Sequence, residues 1–338
     1  MDLGGTALNA VYIELSGESL ELARAEATAA TEALGGESAG TVRGAETILE
    51  VFLDPSLARV LAGRLALARR TLIPASLGPE GVPAPSRSAS AAVFRPFRRP
   101  SGGGNDAGIL RAARYWKTAG GTIDLERPDR RFWCLDRPVG APLWLEEIAP
   151  VDRRAVSARR ISALPFRRPV GLDPRLARAS ANLARARAGG RVLDPFVGTG
   201  ALLAEAGLLG SEVVGIDRDP TMVQGALRNF HHLGVTASAM VVGDSGEVEF
   251  AGSEGPFDAV LSDLPYGRSS GTGGEETGTL ARRVIPRWAE RVRPGGRLVL
   301  VVPGGEDPVE PPWRRVRSIP VRVHRSLTRE FRVYERAP

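Results

Sequence analysis

The sequence predicts an α/β protein: a mostly parallel sheet in the second half, and a smaller α+β arrangement at the start. Three observations predict it. From Asp173 onward, short apolar strands alternate with helical segments, the pattern of a sheet covered by helices on both faces. One of those strands runs into Asp194-Pro195-Phe196-Val197-Gly198-Thr199-Gly200, a glycine turn that opens a helix. Another runs into Asp263-Leu264-Pro265-Tyr266-Gly267, 63 residues after Gly200.

In chain order, residues 10–15 read as a strand, 18–34 as a helix and 47–52 as a strand. Residues 55–70 read as a helix with Leu57, Val60, Leu61 and Ala66 at helical spacing, before a short strand near Leu72-Ile73. Residues 76–108 are rich in Pro, Ser and Gly, and contain a strand at 91–97, the pair Arg98-Arg99 and a flexible Ser101-Gly102-Gly103-Gly104 loop. A helix at 108–117 precedes short strands near 121–125, 131–135 and 143–147. Residues 150–170 are basic and punctuated by proline, as an interdomain linker would be. The α/β alternation then runs: helix 174–187, strand 191–193, helix 200–209, strand 213–216, helix 220–233, strands 238–242 and 259–261. A helix at 280–292 closes at Pro294-Gly295-Gly296, strand 298–302 follows, and 314–323 and 329–335 form two long strands.

A chain of 338 residues can hold two or three domains. Its longest apolar runs, such as 298–302, are far too short to cross a bilayer, and no basic segment precedes an apolar run near Asp2, so neither a membrane span nor a signal peptide is expected. Cys134 is the only cysteine, which excludes an internal disulfide and a multi-cysteine zinc site; three histidines (His231, His232, His324) argue against a histidine metal site. A reducing cytoplasm, no metal and a monomer are the expectations. The net charge of +6 is unevenly spread: 4 basic and 10 acidic residues before position 69, then 19 and 9 over 69–170, then 22 and 20. A preference for arginine explains why Lys117 is the only lysine, but not why the excess sits in the middle. That third is a candidate polyanion surface.

In the glycine turn, Gly198 and Gly200 let backbone amides approach a ligand at a helix N-terminus, where the dipole favours a carboxylate. Asp194 can accept from an ammonium group; Asp217, 17 residues after Gly200, can accept from ribose hydroxyls; Asp244 can accept from an adenine amino group. Phe196 and Thr199 complete the candidate cofactor set. The competing reading is a plain tight turn or a nicotinamide site, but Leu203 occupies the third small position of the dinucleotide fingerprint.

The second turn suits a flat ring bearing an exocyclic amine. Such an amine is a poor nucleophile because its lone pair is delocalised into the ring. The Asp263 carboxylate and the Leu264 or Pro265 carbonyl can accept both N–H bonds, turning the lone pair outward and stabilising charge on nitrogen. Pro265 stiffens the turn, Tyr266 offers a stacking face worth about 1–3 kcal/mol, and Gly267 permits close approach. With the glycine turn, this points to methyl transfer from S-adenosylmethionine to a base nitrogen. No Pro-Cys pair is present for carbon-5 methylation of cytosine, and Cys134 reads as a core residue. Residues 268–278 read equally as a lid or a surface loop.

Several segments resemble one family. Ile123-Asp124-Leu125-Glu126-Arg127-Pro128-Asp129, Pro165-Phe166-Arg167-Arg168-Pro169, Leu172-Asp173-Pro174-Arg175-Leu176-Ala177-Arg178 and Arg325-Ser326-Leu327-Thr328-Arg329, together with the two turns, are similar to the THUMP-domain tRNA guanine-N2 methyltransferases, above all the archaeal enzymes acting on guanosine 10. The resemblance implies a ferredoxin-like domain at 1–70, a THUMP RNA-binding domain at 71–149, a linker at 150–172 and a Rossmann-like methyltransferase domain with a C-terminal β-hairpin at 173–338. It implies S-adenosylmethionine as cofactor and tRNA as partner, with Asp263, Pro265 and Tyr266 catalytic. The basic candidates for tRNA contact are Arg98, Arg99, Lys117 and Arg268. The chain departs from the family in having Leu264-Pro265 where Pro-Pro is usual, and in its Ser101–Gly104 insertion. Methylation of adenine N6 in RNA or DNA, and non-catalytic tRNA binding, are the alternatives.

Overall fold

The computed structural model describes residues 8–85, 91–97, 106–137, 140–168, 171–249, 256–265, 277–324 and 327–338. It divides into two compact units: residues 1–20, 34–63 and 68–152 form the first, and residues 21–33, 64–67 and 153–338 the second.

The first unit is built on one eight-stranded sheet. Its strands are β1 (Asn9–Leu15), β2 (Glu37–Val42), β3 (Ala45–Leu53), β4 (Ala68–Pro74), β5 (Ala91–Pro96), β6 (Thr122–Ile123), β7 (Arg130–Leu135) and β8 (Leu143–Pro150), in the order β2-β3-β1-β4-β8-β7-β5-β6. Residue 70, where the sequence suggests a domain boundary, lies inside β4, which pairs with β1 on one side and β8 on the other. The strand β2 has no counterpart among the sequence expectations. Its alternation of exposed and half-buried residues carries no apolar run, and its pairing with β3 is interrupted by register shifts.

The chain's first helices are α1 (Leu20–Ala33), α2 (Ala58–Arg64) and α3 (Asp106–Thr118). The expected helix at 55–70 is shorter than its pattern: a single 3-10 turn at Pro55–Leu57 leads into α2, which stops at Arg64. Tertiary contacts override the propensity there. The amides of Ala66 and Leu67 donate to the Glu26 carboxylate, each at 2.8 Å, instead of continuing the helix. Arg70 is then held in β4 by Glu14 (2.6 Å) and Glu147 (2.7 Å), over the Trp133 ring.

Under the β5–β8 side, α3 packs on an aromatic core of Phe94, Trp116, Phe132 and Trp144 with Cys134 fully buried beside them. Phe94 stacks on Phe132 (5.4 Å) and meets Trp116 and Trp144 edge-on. Gly121 is required by this packing, since a Cβ would lie 2.1 Å from the Trp116 indole nitrogen.

The second unit holds α4 (Arg153–Ala158), α5 (Pro174–Leu183), β9 (Arg191–Asp194), α6 (Ala201–Leu208), β10 (Glu212–Asp217), α7 (Pro220–Leu233), β11 (Ala239–Val242), β12 (Phe257–Asp263), α8 (Thr277–Arg291), β13 (Val292–Val302), β14 (Trp313–His324) and β15 (Leu327–Arg336). Its sheet order is β11-β10-β9-β12-β13-β15-β14. The first five strands are parallel, and β15 and β14 form the expected antiparallel hairpin at one edge. Strand order reverses between β9 and β12, so the crevice of this α/β sheet opens at their carboxyl ends. Asp219 caps α7 by accepting from Thr221 N, and Gly234 closes it at φ 71°. Similarly, Asp173 caps α5, which ends at Leu183 rather than at 187.

The basic segment before α5 folds onto this unit. Arg159 makes a bidentate pair with Glu205 of α6 (2.7 and 2.9 Å), which Arg178 of α5 also grips at 2.6 Å. The core between sheet and α8 contains Leu193, Val260, Ile285, Trp288, Leu300 and Tyr334.

Candidate functional site at the carboxyl edge of the parallel sheet

Four aspartates mark the ends of four neighbouring strands. Asp194 ends β9, Asp217 ends β10, Asp263 ends β12, and Asp244 follows β11 by two residues. The parallel register sets Asp194 opposite Gly215 and Asp217 opposite Val242, so these groups share one edge.

The turn after β9 is shaped by two of these carboxylates. Asp194 Oδ1 accepts from Phe196 N (3.0 Å) and from the Ser262 hydroxyl (3.2 Å), tying the turn to β12. Asp217 Oδ2 accepts from Gly198 N (2.9 Å), and its Oδ1 from Asp219 N (3.0 Å). Gly198 has φ 51° and Gly200 φ 83°, both left-handed. They serve different ends. A Cβ on Gly200 would sit 2.6 Å from Phe230, so α6 and α7 need a glycine to approach. A Cβ on Gly198 would meet only Phe196 O at 3.9 Å, so that side of the turn is open. Gly200 is the N-cap of α6 and offers no side-chain cap to its first amides.

The carbonyl of Thr199 accepts from Asn229 of α7 (2.9 Å), whose side chain also bonds Phe166 N (2.9 Å) and Phe166 O (3.1 Å). The Phe166 ring lies where a side chain on Gly225 would be. Asn229 thereby pins the 165–168 segment to the turn after β9. Phe196 turns its ring edge-on to Trp288 of α8 at 5.8 Å.

The electrostatics divide the four acids. Burial pushes the Asp194 carboxyl up to about 8, and the charges of Asp217 and Asp263 push the same way. Burial also raises Asp217, against the amides of Asp219 and Gly198. Asp244 goes the other way: a two-pronged pair with Arg283 of α8 (2.9 and 3.2 Å) and the amide of Gly246 hold it below the usual carboxylate range. A carboxylate has about four acceptor positions. On that count Asp217 retains room for two further donors, and Asp244, after Arg283 and Gly246, for one.

Asp263 is different again. Its Oδ2 accepts from Arg329 Nη1 of β15 at 2.7 Å, while its Oδ1 is buried and has no hydrogen-bond partner among the described residues. Burial raises its carboxyl, and Arg329 opposes that. An acceptor oxygen at the crevice of the sheet, its twin held by a cation, suits an amine N–H. Pro265 lies two residues beyond Asp263; Tyr266, Gly267 and the expected lid from Arg268 to residue 276 lie outside the described residues, as do Arg98 and Arg99. Lys117 lies in the first unit, exposed on α3 with Arg111 and Arg114. Among the described residues no cluster of His, Cys, Asp and Glu could hold a metal ion.

Sequence reasoning missed Arg329, Arg283 and Asn229 as parts of this site. One signal existed for Arg329: it shares the strand face of Phe331 and Val333, both fully buried, so an arginine there had to find a partner inside.

Residues 163–317 match the family model described as the RMKL-like methyltransferase domain. A curated relative from Methanothermobacter thermautotrophicus, named tRNA (guanine(10)-N2)-dimethyltransferase, is 34% identical over 220 residues, which cover 63% of this chain and 63% of the relative. A protein of the same name from Pyrococcus abyssi is also 34% identical over 220 residues, covering 63% of this chain and 64% of its own length. A solved structure of TrmN from Thermus thermophilus covers 97% of this chain and 100% of that chain at 22% identity, with a TM-score of 0.48. The chain thus spans less than two thirds of the length of these two relatives.

Proposed function

We propose that this protein methylates the exocyclic N2 amine of guanosine 10 in tRNA, adding one or two methyl groups. The observation that carries the reading is Asp263 Oδ1: a buried acceptor with no partner among the described residues, at the carboxyl end of β12, beside the strand that leads into the glycine turn. The relatives named for guanine-10 N2 methylation support it.

The residues fit S-adenosylmethionine. The open face of Gly198 and the uncapped start of α6 would take the methionine carboxylate, Asp194 the ammonium, Asp217 the ribose, and Asp244 the adenine amino group, with Phe196 and Thr199 lining the turn. Once bound, the cofactor supplies an electrophilic methyl group on a positively charged sulfur. The rest is the work of the chain. Asp263 accepts one N–H of the amine, the carbonyl of Leu264 or Pro265 accepts the other, and Tyr266 stacks on the base; the nucleotide must leave its stack to reach them. In this reading, residues 1–70 are the ferredoxin-like portion and residues 71–149 the THUMP portion that grips tRNA, Arg98, Arg99, Lys117 and Arg268 contact the RNA, and the protein works as a cytoplasmic monomer.

Nucleoside mass spectrometry of unmodified tRNA transcripts, after incubation with the protein and S-adenosylmethionine, tests the proposal. N2-methylguanosine or its dimethyl form, mapped to position 10, is the expected product. N6-methyladenosine would keep the amine clamp and discard the guanine assignment.

A further inference from the structure

Arg329 has no role in the reading above, yet it is the cation that holds the Asp263 carboxylate. It is 3% exposed and sits in β15, which is hydrogen-bonded on both sides by β13 and β14. We propose that Arg329 is a positioning residue for Asp263: by holding Oδ2, it aims Oδ1 at the substrate amine and keeps the carboxylate ionised. This rests on the methylation reading and adds to it a function for the C-terminal hairpin.

The chemistry requires a charged acceptor. As the amine nitrogen bonds the methyl carbon, the carbon–sulfur bond breaks with its electron pair going to sulfur. Positive charge gathers on nitrogen until a proton leaves it for solvent water. A carboxylate within hydrogen-bonding distance of that nitrogen stabilises the charge; a neutral carboxylic acid does not, and could rotate to present its own O–H. Without Arg329 nothing among the described residues offsets burial, which favours the neutral acid. Among the described residues, the charged groups facing Asp263 are Arg329 from β15 and Asp194 from β9, while β13 on its other side presents Val301 in register. Asp194 is an acid and cannot take the place of Arg329. The planar guanidinium, fixed on a paired strand, also sets direction, which a mobile ammonium would do less well.

The test uses the full chain with Arg329→Gln, Arg329→Lys and the double variant Asp263→Asn/Arg329→Gln. Single-turnover methylation of tRNA is followed from pH 6 to pH 9.5. For Arg329→Gln the expected result is a loss of about 10- to 1000-fold at pH 7, little change in KM for tRNA, and an acid limb displaced upward so that the loss narrows by pH 9. Arg329→Lys should recover part of the rate. A loss that is equal at every pH, or no loss at all, overturns the proposal. Melting temperatures supply a readout without substrate. In Arg329→Gln, stability should fall more steeply than in the parent as pH rises, and the double variant should lose that excess slope. If the slope appears but no N2-methylguanosine forms with any variant or the parent, the ion-pair role stands and the methylation reading fails. If methylation is confirmed and the slope is absent, the ion-pair role fails alone.

Discussion

Asp194 should change its proton when a cation arrives beside it. Burial holds its carboxyl at about 8, so near neutral pH it is largely protonated. An ammonium group brought within hydrogen-bonding distance favours the charged form. Binding of S-adenosylmethionine at pH 7 should therefore release up to about one proton, seen as a binding enthalpy that varies with the ionisation enthalpy of the buffer. The variation should vanish in Asp194→Asn. The same shift has a stability consequence. A carboxyl whose folded pKa is raised contributes most below its unfolded value, and that contribution is lost as pH rises through about 8. The melting temperature of the parent should thus fall relative to Asp194→Asn between pH 4 and pH 8; a constant difference would refute the raised value. For Asp263, replacement by Ala should abolish turnover and leave cofactor affinity nearly unchanged, measured by calorimetry, because Asp263 bonds none of the turn residues. At this scale the sequence is most legible where chemistry and local structure coincide. Asp194, Asp217 and Asp263 are visible because each closes an apolar strand. Arg329 and Arg283 are not, because their partners stand 66 and 39 residues away and only the completed sheet and helix bring them together.

The elements show the same division between local and distant causes. The capped helix α7 is readable to the residue, since Asp219, Pro220 and Gly234 are all local signals. The end of α2 is not, because the group that stops it, Glu26, lies on α1. Glu26 is fully buried and accepts from Ala66, Leu67 and Asn182 Nδ2 (3.0 Å), while Arg64 bonds Asn182 Oδ1 (3.2 Å) and the Ala186 carbonyl. Residues 21–33 and 64–67 are therefore part of the second unit although they come from the start of the chain. A fragment comprising residues 153–338 alone would leave Asn182 and the Ala186 carbonyl without these partners. Each buried polar group left unpaired costs about 1–3 kcal/mol, so the fragment should melt roughly 10 °C or more below the full chain, or fail to fold. Asn182→Ala in the full chain should show a smaller loss of about 1–3 kcal/mol by urea unfolding. Equal stability of fragment and full chain would mean these interactions contribute nothing.

For the whole molecule, the uneven charge has to be discounted for ion pairs before it says anything about a partner. Several arginines of the basic third are consumed internally: Arg70 by Glu14 and Glu147, Arg130 by Glu146, and Arg159 by Glu205. What remains on the first unit includes the exposed row Arg111, Arg114 and Lys117 along α3, at the spacing that puts three cations on one helix face. A row of this kind recognises a phosphate backbone without reading its sequence. Reversing the charge at Arg98, Arg99 and Lys117 together should raise the Kd for tRNA at least tenfold. It should also flatten the dependence of log K on log salt by about 0.7–0.9 for each phosphate that is no longer neutralised. The rate on saturating tRNA should stay within a few-fold of the parent, since none of these residues belongs to the unit that carries Asp263. Filter binding across a salt series, paired with single-turnover rates, separates the two effects. Unchanged affinity and slope would move the tRNA-binding surface away from these three residues. A rate that drops at saturation with affinity intact would mean that they position the nucleotide rather than hold the tRNA.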